Sequence, residues 1–371
     1  MKSGLRIASV SDIHLGHSKT PTLHIVTNLG RAFPDAESTH ELDMILVGGD
    51  LFDRLLSLNQ IEVAQILEWA GHFIPMCEKH QIHLVFMEGT PTHDWGQTRL
   101  LEILNKLGMG GKYFHYFTEL SIERFEDLGI DVLFVPDEWR PEPDDTWKEV
   151  CHLLKVKGLE QVDFTVLHGA FEFQLPAHVK APRHSSERYE SITRHRVLGA
   201  HIHTPCSRGK IRVNGSFDRL EHGQEEEKGH WRFLAKPDGT LQDTFVVNRK
   251  AMSYVTIDCT GLPVDEALKV LGVKVSKLVD GSHVRVKADK TDPILQSFDV
   301  LRKQFPLIHW TSKVGESQTQ QASLLVDLRS SFVSVQITRE NLSELLLAKV
   351  NQLTQDPLVL ERCAKRIEEF T

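Results

Sequence analysis

"IHLVFMEGTPTHDWG", residues 82–96, runs from an apolar stretch that reads as a buried strand into a loop carrying His93 and Asp94. A strand that empties into an imidazole and a carboxylate places ligand chemistry at the edge of a sheet. Four other segments do the same. "LRIASVSD" leads to Asp12 and then His14, "MILVGGD" ends at Asp50, "DFTVLHG" carries His168, and "GAHIH" offers His201 and His203. A spacing of two puts Asp12 and His14 on one face of an extended segment, and His201 and His203 likewise. In open α/β sheets, ligands bind beyond the carboxyl ends of the strands, where loops converge. Carboxylates mixed with imidazoles suit divalent manganese, iron or zinc. Singly, each piece could be a capped turn or a hydrogen-bonded core histidine. Five in the order D-x-H, G-D, H-D, H-G, H-x-H, each at a strand end, would need five independent accidents.

Around these segments the first half of the chain alternates strand patterns with helical ones such as "NQIEVAQILEWAGHFI" and "GQTRLLEILNKLG". That alternation predicts an α/β domain with a partly parallel sheet. From about residue 196 short strands follow one another, so two sheet layers flanked by helices would satisfy both halves. Near Lys250 the pattern shifts to a small α+β unit, then to the polar, linker-like "GESQTQQAS". The last forty or so residues read as two helices, with Leu342, Leu345, Leu346 and Val350 forming an apolar stripe. The expected domains are 1–250, an α+β cap over 251–330, and a C-terminal helical segment over 331–371.

Composition narrows the function classes. The chain has 371 residues, 40% hydrophobic and 25% charged, which is ordinary for a globular protein. Its five cysteines form no C-x-x-C pair, so reduced thiols are expected instead of a zinc knuckle or disulfide framework. No apolar run reaches membrane-spanning length and the N-terminus lacks a signal-peptide pattern, so a cytoplasmic protein with no membrane association is expected. The net charge of −8 weighs against a nucleic-acid binder, although two divalent cations would offset part of it.

The ordered motifs resemble the calcineurin-like metallophosphoesterases. "VNGSFDRLEHGQEEEKGHW", residues 213–231, narrows the resemblance, since SbcD-type DNA-repair nuclease subunits carry a similar G-S-x-x-R, acidic cluster and E-K-G after their H-x-H. The likeness covers about the first 250 residues. It implies a four-layer α/β/β/α sandwich and a manganese-dependent nuclease, with magnesium or another divalent ion as alternatives. One ion would be held by Asp12, His14 and His203 and a second by His168 and His201, with Asp50 bridging both. His93 would be the general acid or transition-state stabiliser, oriented by Asp94. The family's asparagine before that histidine is replaced: the loop is two residues longer, and Thr92 stands in the ligand position with a weaker oxygen. Asp53 either orients a ligand or caps a turn.

The same resemblance implies DNA as substrate, an SbcC-type SMC-like ATPase gripped by the C-terminal helices, and a homodimer. No G-x-x-x-x-G-K-[ST] loop is present, so ATP dependence must come from such a partner. Between His168 and His201, Lys180, Arg183, Arg188, Arg194 and Arg196 could hold phosphates, with Tyr189 available for stacking. Two alternatives stay open: a phosphoesterase for small substrates, and a DNA-end-binding scaffold whose site is silent.

Overall fold

The computed structural model describes residues 4–315, apart from residues 110, 138 and 177, together with Arg362. Met1–Lys313 form one compact unit and Val314–Thr371 another. The expected C-terminal helical segment and its apolar stripe lie outside the described residues.

Along the chain come β1 (Leu5–Val10), α1 (Thr22–Ala32), α2 (Glu37–His40), β2 (Met44–Val47), α3 (Ile61–Lys79), β3 (His83–Met87), α4 (Pro91–Asp94), α5 (Arg99–Leu104) and β4 (Phe114–Phe117). The second half of the α/β body holds β5 (Ser121–Phe125), β6 (Ile130–Val135), α6 (Pro143–Lys157), β7 (Val162–His168), α7 (Ser186–Ile192) and β8 (Thr193–Ala200). Short strands close it: β9 (Cys206–Arg208), β10 (Ile211–Val213), β11 (Gly229–Ala235) and β12 (Leu241–Val247). Last come β13 (Tyr254–Asp258), α8 (Val264–Val275), β14 (His283–Asp289), α9 (Phe298–Gln304) and β15 (His309–Gly315).

Two six-stranded sheets carry the body, in the orders β12-β11-β1-β2-β3-β4 and β5-β6-β7-β8-β10-β9. β1 to β4 run parallel, as do β6, β7, β8 and β10. Parallel strands need crossovers and are covered on both faces, which is why β2 and β7 are buried at every position and β2 reads as a continuous apolar run.

Three cores follow from this layering. Ile7, Leu46, Val85 and Met87 of the first sheet pack with Val132, Phe134, Phe164 and Leu198 of the second. On its outer face the first sheet packs against α1 and α3 through Ile25, Leu29, Ile66, Ala70 and Ile74. The second sheet packs against α6 and α7 through Val150, Leu154, Tyr189 and Ile192. Helix, sheet, sheet, helix is the four-layer sandwich of the calcineurin-like fold. A third sheet, β13-β14-β15, packs with α8 and α9 over a separate core of Ile257, Leu271, Val284, Val286 and Leu301.

The layering fixes where chemistry can happen. Both large sheets point the carboxyl ends of their parallel strands toward the loops at 11–15, 48–53, 88–94, 168–171 and 201–203. Among the described residues no helix is long and apolar enough to cross a membrane.

Candidate active site

The loops after β1 and β2 are zipped to each other by backbone hydrogen bonds. Asp12 N–H donates to the Gly49 carbonyl, Ile13 and His14 N–H to that of Asp50, and Leu15 N–H to that of Leu51. Holding both loops this closely forces unusual backbone: Asp12, His14, Asp50 and His201 account for four of the six non-glycine residues with positive φ among those described. Such conformations cost of order 1–3 kcal/mol each and persist where the surroundings over-determine them, commonly at functional sites. Gly49 makes the crowding possible, because a Cβ there would collide with His168 Nδ1.

Within this frame the side chains converge in overlapping sets. Asp12, His14 and His203 form one group, Asp50, His168 and His201 another, and Asp50 also groups with His14 and His93; in each the ligand-type atoms lie within 4.8 Å of one another. His14 Nε2 and His203 Nε2 are 3.0 Å apart. His168 Nε2 is 3.4 Å from Asp50 Oδ1, and His14 Nε2 is 3.8 Å from Asp50 Oδ2. Ligands about 2.1 Å from a shared ion stand roughly 3–3.5 Å from each other, so these spacings fit two ions with Asp50 between them. The donor set fits as well: imidazoles and carboxylates converging this closely could hold a divalent ion.

The supporting atoms set which ring nitrogen is available. His168 Nδ1 is 2.8 Å from the Gly48 carbonyl and His93 Nδ1 is 2.7 Å from the Asp53 carbonyl, so each Nδ1–H donates and Nε2 is the nitrogen left to face the site. Asp53 Oδ1 lies 3.2 Å from His14 Nδ1, which favours the role of orienting a ligand over that of a turn cap. Asp94 does something other than orient His93. Its buried carboxylate accepts the N–H groups of Asp50, Phe52 and Gly89, tying the loop after β3 to the loop after β2. The orienting group for His93 is the Asp53 backbone.

The replaced asparagine has a structural answer. Thr92 is exposed on the short α4, and its carbonyl accepts the Trp95 indole N–H. Thr90 stands at the site instead, with Oγ1 3.3 Å from Asp50 Oδ2, 3.3 Å from His168 Nε2 and 3.4 Å from His201 Nδ1. Thr90 lies in the loop between the end of β3 at Met87 and the start of α4 at Pro91, so it, and not Thr92, is the threonine that faces the clustered side chains. Counting forward from the strand's glycine would have found this, whereas counting back from His93 pointed to Thr92. Thr90→Asn is expected to lower the manganese concentration needed for half-maximal binding by roughly tenfold, within the range for changes around metal ligands, while Thr92→Asn leaves it unchanged. Manganese titration of both variants by calorimetry checks this.

Electrostatics divide the histidines. Burial would lower the pKa of His168 and of His14, but Asp50 outweighs it at His168, and Asp53 with Asp50 and Asp12 at His14, so both are raised. His203 goes the other way, to about 4, chiefly by burial. Burial also opposes ionisation of Asp50, yet His168, His14 and the Thr90 N–H hold it well below the usual carboxylate range. Asp94, buried beside Asp50, is pushed up to about 7. In the metal-free chain His14 and His168 thus keep protons to higher pH than free imidazole, and a cation must displace them. Manganese addition near pH 6.5 is expected to release protons, and affinity to strengthen as pH rises until both rings are neutral. A pH-indicator dye during titration reads the release.

The stretch 213–231 packs beneath His203. Ser216 N–H donates to the His203 carbonyl, Gln224 Nε2 is 3.0 Å from His203 Nδ1, and the buried Lys228 Nζ donates to the same carbonyl and to Glu226. Asp218 accepts from Met252 N–H and Asn28, joining the loop to the start of the third sheet's segment.

The basic loop between His168 and His201 is differently arranged from expectation. Tyr189 is buried, its hydroxyl 3.2 Å from His184 Nδ1, so it offers no face for stacking. Arg188 pairs with Asp144, Arg194 with Asp163, and Arg196 with Asp243, while Arg183 donates to the Pro176 and Val179 carbonyls. Arg188 thus ties α7 to α6, Arg194 ties β8 to β7, and Arg196 ties β8 to β12 of the other sheet. Lys180 is exposed.

No protein-family model matches the chain, and no curated protein matches it. Solved structures similar to it include GAP50, the anchor in the inner membrane complex of Plasmodium, at 14% identity over 67% of this chain and 86% of that one, with a TM-score of 0.39. Another is TT1561 of Thermus thermophilus, at 12% identity over 65% of this chain and 99% of that one, with a TM-score of 0.35. Likenesses this distant say nothing about function, which rests on the site itself: clustered His and Asp side chains able to hold divalent metal at the strand ends of a calcineurin-like sandwich.

Proposed function

We propose that this chain is a two-metal phosphodiesterase, and more narrowly a manganese-dependent DNA-end nuclease subunit of the SbcD type. The observation that carries the hydrolase reading is the pair of ligand groups sharing Asp50, with His93 held beside them. Asp12, His14, Asp50 and His203 would hold one ion, and Asp50, His168 and His201 the other, with Thr90 adding an oxygen. Two such ions would supply Lewis-acid neutralisation of the phosphate and make a water acidic enough to attack it. The chain's own contribution is orientation. His93, with Nδ1 fixed on the Asp53 carbonyl, presents Nε2 toward His14's side of the site, its ring 5.0 Å from that of His14. An imidazole so placed can donate a proton to a departing sugar oxygen or hold charge on the phosphate.

The DNA reading is supported by the G-S-x-x-R…E-K-G stretch, which buttresses His203 and ties to the third sheet. An SMC-like ATPase partner and a homodimer belong to the same reading. One observation favours a small substrate instead: the arginines expected to hold a phosphate backbone are already paired. Parallel assays of linear duplex DNA and bis(4-nitrophenyl) phosphate, titrated with manganese, separate the readings. Cleavage of both, with duplex DNA inhibiting the small diester, supports the nuclease. Hydrolysis of the small diester alone, indifferent to excess DNA, sinks it. Bound metal and retained DNA without hydrolysis of either substrate would leave the scaffold.

A further inference from the structure

The face of the third sheet that α8 and α9 leave uncovered carries a continuous stack of rings. Strand alternation sends Ile257, Val284, Val286 and Trp310 into the core beneath those helices and turns Tyr254, His283, Arg285 and His309 to the opposite face. Tyr254 is paired with His283 across β13 and β14, and their rings lie 4.5 Å apart with planes 3° apart. His309 continues the stack from β15, 4.5 Å from His283 with planes 18° apart. β15 is an edge strand of this sheet and His309 is exposed, so the stack ends in an open ring face.

The stack is anchored to the turn that leaves the metal site. The Tyr254 hydroxyl is 2.8 Å from Thr20 Oγ1, and His283 Nε2 donates to the Lys19 carbonyl at 3.2 Å. His17, in the same turn, feels Asp53 and His14 on one side and acts on His283 on the other. Two cations flank the rings. Burial, with Arg285, His283 and Lys19 beside it, pushes His222 down to about 4, and the His222 ring lies 5.3 Å from that of Tyr254. Neither Lys19 nor Arg285 has an ion-pair partner among the described residues, whereas Lys287, two residues further along β14, is paired with Asp258. An acid does reach this seam: Glu221 acts on His17 and Tyr254 but forms no ion pair with either cation.

We infer that this ring stack, with Lys19 and Arg285 beside it, is a platform for an unpaired nucleotide of a single-stranded nucleic acid, the base lying on His309 and the phosphate taken by the two cations. A ring face accepts any base, because every base has a π-face, and an unpaired base is free to leave its neighbours and continue the stack. A base inside a duplex is covered on both faces, so an aromatic stack ending at a sheet edge selects single strand. The two cations supply the phosphate attraction that Arg188, Arg194 and Arg196, already paired, do not. From this platform the 17–20 turn leads back to His14, so a strand held here is directed toward the ligand groups. The catalytic meaning of the platform rests on the phosphodiesterase reading of those groups, to which it adds a substrate with an unpaired stretch.

Fluorescence anisotropy of labelled decathymidylate with the metal-stripped full chain in EDTA tests the platform. It needs neither metal nor turnover, so its failure is distinct from a failure to hydrolyse. His309→Ala is expected to weaken binding about tenfold and His309→Tyr to restore it, since stacking asks only for a ring face. Arg285→Gln and Lys19→Gln should each lower affinity and flatten the slope of log affinity against log salt by about 0.7. Lys269→Gln, on α8 across the sheet, should change neither. A duplex of the same length should bind more weakly than the single strand. Parent-like binding in His309→Ala or in either charge variant, or an equal loss in Lys269→Gln, would overturn the assignment. So would a duplex held as tightly as the single strand, or calorimetry showing inorganic phosphate bound through Arg285 while the decamer binds independently of it.

Discussion

Asp50→Asn is expected to reduce manganese-dependent hydrolysis by about 10³–10⁴-fold, since two-metal charge stabilisation contributes several kcal/mol and each 1.4 kcal/mol is tenfold. The reason is the position of Asp50 between the two groups, 3.4 Å from His168 and 3.8 Å from His14. Asparagine has nearly the same shape and can still accept the Thr90 N–H that now reaches Asp50 Oδ1 at 2.6 Å. It offers one neutral oxygen, however, and turns an N–H₂ toward a histidine that needs a lone-pair partner. Both ligand groups lose a carboxylate and the site loses its central negative charge. Manganese content should fall with activity while the unfolding midpoint of the metal-free chain moves little. Full manganese loading in Asp50→Asn would show that the two groups do not share this carboxylate.

His93→Ala should separate chemistry from metal binding. Loss of a positioned general acid commonly costs 10²–10⁴-fold, and a loss near 10³-fold is expected here with manganese stoichiometry unchanged. His93 is half-buried, and its Nδ1 is engaged by the Asp53 carbonyl and not by Asp94. The leaving group provides a sharper reading. A sugar alkoxide needs a proton as it departs, whereas 4-nitrophenolate leaves without one. If His93 is the acid, His93→Ala damages DNA cleavage far more than hydrolysis of bis(4-nitrophenyl) phosphate. Equal losses would make it a stabiliser of phosphate charge instead. A large drop in manganese content would place it among the ligands, a role its grouping with His14 and Asp50 makes worth excluding.

Much of this site was legible in the chain because metal chemistry is local and typed. Asp12, His14, Asp50, His201 and His203 lie shortly beyond the end of a strand and His168 ends one, and a strand's end is readable from its apolar run. Parallel strands then bring those ends together whatever the loops between them do. The sandwich was legible for the same reason, since near-continuous apolar runs alternating with amphipathic helices leave few other ways to cover both faces of a sheet.

The misplacements all concern groups whose partners are distant in sequence. Counting back from His93 points to Thr92, but only the folded loop shows Thr90 Oγ1 beside Asp50, His168 and His201. Asp94 was paired with its neighbour His93, yet its three donors come from Asp50, Phe52 and Gly89. Gln224 beneath His203 and Asp53 beside His14 depend on loops that meet only after folding. The arginines of the 180–196 stretch looked free because their acidic partners Asp144, Asp163 and Asp243 come from other elements.

The sequence by itself determined which side chains end the strands, and so the chemistry available: carboxylates and imidazoles in a set suited to two divalent ions. The tertiary structure decided their distances, which ring nitrogen faces the site, which threonine joins them, and which arginines are already neutralised. The physical reason is range. Residue type and hydrophobic period are properties of neighbouring positions, whereas ligand spacing and charge pairing arise only when segments tens to hundreds of residues apart are packed into one sheet edge.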